Sequence, residues 1–211
     1  MVSARDEILA RLKAAQDRRG EIEVKKPDFA SPVYMPLNES LSEEFREKLE
    51  LVGGKFYYAE SIDEAVEKLL KLIRENKWEN IFCNDNMLQK YFSGKINFAC
   101  DNQSFEQMKV GITGCEFLVA HLGAVLVSSG QASGRRLNVF PEIHVIFAHE
   151  KQLTDYLDTG IERLSEKYKG HMPSLISVIT GPSRTADIEK TLVMGMHGPK
   201  SLHVFLCKKP Y

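Results

Sequence analysis

Short runs of apolar, β-branched residues, separated by stretches with helical spacing, constrain this 211-residue chain more than any other feature. Lys109–Ile112, Ala124–Ser128, Ile143–Ala148 and Leu175–Ile179 lack the polar alternation of a half-wet strand and read as centrally buried strands. Ser40-Leu-Ser-Glu and Ser61-Ile-Asp-Glu are capping boxes, in which a hydroxyl and an acid three residues on satisfy the free donors of a helix start. The helix from Ser40 stops at Gly53-Gly54, and Ala65, Leu69, Leu72 and Ile73 give the next helix its apolar face. Further strands are expected at Lys55–Ala59, Asn80–Cys83, Ile96–Cys100 and Leu202–Leu206, and helices over Met87–Phe92 and Lys151–Lys169. This alternation predicts an α/β fold of three layers, a mostly parallel sheet with helices on both faces. Around Ala124–Ala148 the connection is too short for a helical crossover, which allows antiparallel pairing there.

Ahead of this body, Ser3-Ala-Arg-Asp caps a helix that carries Ile8, Leu9 and Leu12 and ends near Gly20. Residues 21–39 contain Pro27, Pro32 and Pro36 without periodicity and read as an extended linker. The expected organisation is an N-terminal helix and linker over 1–39 and a single α/β domain over 40–211. The first helix is either a loose arm or a face for a partner subunit, a second copy of the chain included.

Charge narrows the function classes. Lys plus Arg is 28 and Asp plus Glu is 29, so the net charge is −1, and the surplus of cations that non-specific nucleic-acid binding needs is missing. Ser3–Arg19 is charged throughout and does not resemble a signal peptide, and no run approaches the roughly 20 apolar residues of a bilayer span. A cytoplasmic protein is expected. Cys83, Cys100, Cys115 and Cys207 are scattered singly with no CxxC pair, so the chain has no iron–sulfur or zinc motif of its own. His144 and His149, five apart on a strand, point to opposite faces, which argues against a metal site. There is no GxGxxG after an early strand and no Walker lysine loop. Ser128-Ser129-Gly130 lacks the glycine two residues before the serine that a nucleophile elbow needs.

Two loop regions are candidates for ligand binding. In the first, Leu175–Ile179 runs into Gly181-Pro182-Ser183-Arg184-Thr185-Ala186-Asp187, and a helix is expected within a few residues, capped by Ser183 or Thr185 with Asp187 in its first turn. Backbone donors there, with Ser183, Arg184 and Thr185, suit a carboxylate or phosphate; an ordinary capped helix fits equally well. His197 falls at the far end of that expected helix and reads as a turn residue. The second region pairs Thr113 and Glu116 with Ser128, Ser129, Arg135 and Arg136, the arginines being suited to bidentate anion binding or simply to solvent. Glu142 is a further carboxylate of interest.

Gly181-Pro-Ser-Arg-Thr-Ala-Asp-Ile-Glu, Leu192-Val-Met-Gly-Met-His-Gly-Pro and Leu202-His-Val together closely resemble the C-terminal signature of the lactate-utilisation (LUD) domain family, in particular its small LutC/YkgG-type branch. Val110-Gly-Ile-Thr-Gly, Leu126-Val-Ser-Ser-Gly, Arg135-Arg136-Leu137 and Phe140-Pro-Glu-Ile-His-Val extend the likeness, and it reaches back more loosely to Phe45–Gly54. The resemblance implies a fold similar to the NagB/RpiA and CoA-transferase-like group. It also implies a part in oxidising L-lactate to pyruvate within a three-protein system whose other members carry iron–sulfur clusters. The chain departs from the family at Leu122-Gly123-Ala124, where relatives usually have Thr-Gly-Thr or Thr-Gly-Ser.

Side chains alone do not carry two electrons. The leading expectation is therefore a small-anion-binding subunit with no cofactor in this chain and clusters in its partners. The alternative is a stand-alone isomerase, acyl-transfer or cyclo-ligase-type enzyme on a small anion, with Glu116 or Glu142 as nucleophile or base. A metabolite-sensing protein is a third class.

Overall fold

The computed structural model describes residues 3–18, 34, 36–37, 40–99, 107–186 and 192–211. The chain divides into two units, Met1–Pro36 and Leu37–Tyr211. In the first, helix α1 (Ala4–Arg18) begins where the Asp6 backbone N–H donates to Ser3 Oγ and Ser3 Oγ donates to the Asp6 carboxylate at 2.8 Å. Apart from Tyr34, Pro36 and Leu37, the expected linker lies outside the described residues.

The second unit is organised by a parallel sheet of five strands: β1 (Lys55–Ala59), β2 (Ile81–Cys83), β3 (Val110–Thr113), β6 (Ile143–His149) and β11 (Ser201–Cys207), in the order β1-β11-β6-β3-β2. At its centre β6 and β11 pair over seven residues, from Ser201 beside Ile143 to Cys207 beside His149. Strand alternation sends Val145, Phe147, Phe205 and Cys207 to one face and Ile146, Ala148, Val204 and Leu206 to the other. Both sets are fully buried, so each face needs a covering layer.

Helices α3 (Ile62–Asn76) and α4 (Asn86–Tyr91) cover the first face. Ser61 accepts from Glu64 N at the start of α3, and Ala65, Val66 and Leu69 on its inner face are buried. The second face is covered by α2 (Leu41–Leu51) and, contrary to the expected three layers, by a second sheet. Its strands are β7 (Leu153–Thr154), β4 (Phe117–Val119), β5 (Ala124–Ser128) and β8 (Ile176–Ile179), in the order β7-β4-β5-β8, antiparallel except between β4 and β7. Helix α5 (Leu157–Lys167) closes the outer face of this sheet through Leu164 on Phe117 and Leu126. The mostly parallel character holds for the central sheet alone.

Several expected elements differ. Ala124–Ser128 is a buried strand, but in the second sheet. The strand expected at Leu175–Ile179 is β8, Ile176–Ile179, an edge strand of that sheet with Val178 39% exposed, because only β5 pairs with it. The helix expected from Lys151 starts only at Leu157, since Leu153 and Thr154 pair with Leu118 and Val119 instead. Residues 96–99 form no strand, though Ala99 N donates to Ile81 O, and Cys100 lies outside the described residues. Arg184–Ala186 is a strand, β9, rather than a helix start; it pairs antiparallel with β10 (Leu192–Met194), Thr185 opposite Val193. Asp187 and Glu189 lie outside the described residues.

The thiols of Cys83 and Cys207 are buried, and burial pushes each up to about 11; burial raises that of Cys115 as well.

Gly123 ends the three-residue turn between β4 and β5 with φ +59°, and α2 crosses directly over it. A Cβ there would lie 2.2 Å from Leu49 N and 2.4 Å from the Lys48 carbonyl carbon, both rigid backbone. The Leu122-Gly123-Ala124 departure therefore falls under α2, at the opposite end of β5 from Ser128. Gly123→Ala is expected to lower unfolding free energy by about 2–4 kcal/mol through left-handed strain and the clash; an unchanged urea midpoint would show that α2 yields freely.

A candidate ligand cleft

The two loop regions singled out in the sequence meet, but not as a helix start at the carboxyl ends of the parallel strands. Lys200 N and Ser201 N both donate to the Glu142 carbonyl, and Ser183 N donates to Pro199 O at 2.8 Å. Arg184 Nη2 donates to the carbonyl of Val52, just ahead of β1. These bonds hold the Gly181–Ser183 turn beside the amino ends of β1, β6 and β11. Gly181 has φ +91°, and a Cβ on it would lie 2.8 Å from Val52 O. The Ser183 amide, expected as a vacant anion donor, is thus consumed by the protein's own carbonyl. Because β9 and β10 pair antiparallel, His197 returns to the same turn: it lines the same cavity as Ser183 and Arg184, contrary to its expected separation.

That cavity, of about 440 Å³, opens between Asn138-Val139, the end of β8 with Gly181–Arg184, and His197–Pro199. A narrower recess of about 60 Å³ adjoins it, sharing Asn138, Val139 and Ile179 and adding Arg135 and Ser177. Arg135 Nη2 donates to Ser174 Oγ at 2.7 Å, and Ser129 Oγ, 3.2 Å from Ser174 Oγ, accepts from Leu175 N. Arg135 and Ser129 thereby tie the loop after β5 to the start of β8. Arg136 is exposed, and Thr185 is half-buried in β9.

Glu116 and Ser128 form a different cluster. Strand alternation places Ser128 with Leu126 on the α5 side of β5, where its hydroxyl bonds Glu116, although the residue also lines the recess. There Glu116, with no exposed side-chain surface, accepts from Ser128 Oγ at 2.5 Å, Tyr168 OH at 2.8 Å and Lys167 Nζ at 2.6 Å. Burial first, then the Glu116 carboxylate, raises the Tyr168 phenol above its ordinary value, against a lowering by the Ser128 bond. Sequence reasoning missed Lys167 and Tyr168. Their acidic partner was visible, but the pairing spans 51 and 52 residues. Glu142 stands apart, 3.4 Å from Lys200 Nζ and half-exposed. Thr113 is buried, its hydroxyl 2.9 Å from Nε2 of the equally buried His144. Among the described residues no group of three or more His, Cys, Asp or Glu is placed to hold a metal ion.

A parallel α/β sheet backed by a mixed sheet defines the fold class, and the cleft beside the Gly181–Arg184 turn, with Arg135 at its adjoining recess, has the volume of a small-molecule pocket. The chain belongs to the LUD domain family, whose pattern matches residues 42–207. It is similar to lactate utilization protein C of Geobacillus sp. (strain WCH70), 38% identical over 96 residues, which is 44% of this chain and 40% of that protein. Over 96 residues it is also 36% identical to YkgG of Escherichia coli (strain K12), covering 44% and 42% of the two chains. Against lactate utilization protein C of Bacillus subtilis (strain 168) the identity is 33%, with 44% and 40% covered. The matched part spans about two fifths of the length of these relatives. The fold is that of a DUF162 family protein from Deinococcus radiodurans, with TM-score 0.60, 16% identity, and 82% of this chain and 99% of that one covered. No helix among the described residues is long and apolar enough to cross a membrane.

Burial lowers the His144 imidazole from 6.5 to about 3 and that of His203, beside Tyr57 OH, to about 4. Both stay neutral in the folded chain while the unfolded chain takes up protons below about pH 6.5. Their contribution is complete above that pH and is lost as pH falls through about 4 and then 3. Melting temperature is expected to drop from pH 6.5 to 4, less steeply in His144→Gln; parallel curves for the two proteins would overturn this.

Proposed function

We propose that this chain is the small-anion-binding component of a lactate-utilisation system, a single LUD-type domain over 40–211 that works in the cytoplasm. L-Lactate or a close carboxylate is held in the cleft, and iron–sulfur partner proteins carry the electrons. The observation that carries this reading is the placement of the Gly181–Arg184 turn on the cavity and of Arg135 on the recess that adjoins it, with Asn138 lining both. The cationic edge and small volume of the pair suit a short carboxylate. Relatives named for lactate utilization support the choice of ligand. The fold is read as a member of the NagB/RpiA and CoA-transferase-like group.

The stand-alone enzyme reading draws less support. Glu116 is sealed under Ser128, Tyr168 and Lys167, and Glu142 pairs with Lys200; neither carboxylate lines the cleft as an open nucleophile.

Calorimetric titration of the purified chain with L-lactate is the direct test. Arg135→Ala is expected to weaken binding by about 1.5–3 kcal/mol, the scale of a charge-assisted hydrogen bond. Equal affinity in the variant would remove Arg135 from the site. Purification from the native source should also retain iron-containing partner proteins.

A further inference from the structure

The face of the central sheet covered by α3 and α4 carries a second opening, with no described lining residue in common with the cleft. Helix α3 ends where Trp78 N donates to Ile73 O at 3.0 Å, with Lys77 left-handed at φ +52°. In such an ending the residue after the left-handed one packs on the last turn, and here both Trp78 and Ile73 line the opening. On the other side Lys95 N and Ile96 N both donate to the Phe92 carbonyl, and Ala99 N donates to Ile81 O, which brings the 95–97 stretch alongside the start of β2. A cavity of about 310 Å³ lies between the two stretches. Leu70, Ile73, Trp78 and Ile96 border it and are each only half-buried, although they pack on the core beneath. Partly wetted apolar groups around one hollow are a surface that a flat apolar body would dry. Trp78, the chain's single tryptophan, supplies the largest of them and is held by a perpendicular contact with the His203 ring, 5.1 Å between centroids. The rim is charged: Arg74, Lys95 and Glu79 line the cavity and are exposed. The ion pairs of α3 join Lys68 to Glu64 and Lys71 to Glu75, and among the described residues neither Arg74 nor Lys95 has a carboxylate partner. Two cations against one carboxylate leave the rim positive.

We infer that this cavity is a second binding site, separate from the cleft, for an aromatic carboxylate of one or two fused rings. The ring system covers Ile73, Trp78 and Ile96, and the carboxylate lies at the rim with Arg74 and Lys95. The site stands independently of the lactate reading, because neither Arg135 nor the Gly181–Arg184 turn takes part in it.

A single tryptophan gives a single indole N–H resonance, so titrating the full chain with 2-naphthoate while following that resonance reads this site alone. The resonance is expected to move and to saturate. The uncharged isostere 2-naphthamide is expected to bind about fivefold more weakly, the scale of exposed charge pairs. Replacing both exposed cations, Arg74→Gln together with Lys95→Gln, should bring 2-naphthoate down to the 2-naphthamide level and leave 2-naphthamide unchanged, which also shows that the variant is folded. Excess L-lactate should not displace 2-naphthoate. A resonance that stays still, or drifts without saturating, would overturn the site. Equal affinity for the two probes, or 2-naphthoate binding unaltered in the double variant, would overturn the anionic class of ligand. Displacement by L-lactate would make the two sites one and overturn their separation.

Discussion

The pairing of β6 with β11 governs the rest of the molecule. Seven residues of each strand lie side by side with both faces buried, so no face of the central sheet can be left to water. Two α-helices meet that demand on one side. On the other, α2 alone is too narrow, and the second sheet supplies Leu118, Val125 and Val127 against Ile146 and Val204. The cleft follows from this layering: β8 is the outer strand of the second sheet, and the chain leaving it must cross to β11 over the amino ends of the parallel strands.

Glu116 serves that second sheet rather than the cleft. Its carboxylate joins the turn before β4, the end of β5 and the end of α5 through Ser128, Tyr168 and Lys167. Gly130 lies under the Tyr168 ring, where a Cβ would meet the phenol oxygen at 2.4 Å. The glycine- and serine-rich stretch is thus bound on the α5 side by a buried charge, while its arginine-bearing continuation borders the recess. A rigid root beneath a cleft-bordering loop is the arrangement that holds the loop's side chains in place.

What was legible in the sequence divides along physical lines. Local signals held: Ser40 and Ser61 cap α2 and α3, and the runs Lys55–Ala59 and Ala124–Ser128 are strands with those bounds. Assigning strands to sheets did not, because an apolar run carries no information on its neighbours; Leu175–Ile179 reads the same at a centre or an edge. The Gly181–Asp187 stretch has the residues of a helix cap, yet the pairing of Thr185 with Val193 overrides that propensity. This error also misplaced His197, since a helix would have carried it away from Ser183. Arg135, singled out as an anion-binding candidate, lines the recess beside the cavity. Asn138 escaped notice, because its place beside that cavity depends on a fold around Gly134 that no spacing rule encodes.

The buried thiols have a practical corollary. Cys83 and Cys207 belong to the core beneath α3 and α4, whereas Cys115 belongs to the one beneath α2. With their ionisation suppressed by burial, they are slow nucleophiles for as long as those layers stay shut. The molecule therefore contains chemical clocks on both sides of its central sheet. Alkylation rates at these positions, resolved by peptide mass, would tell which layer breathes first and whether the two ever open independently.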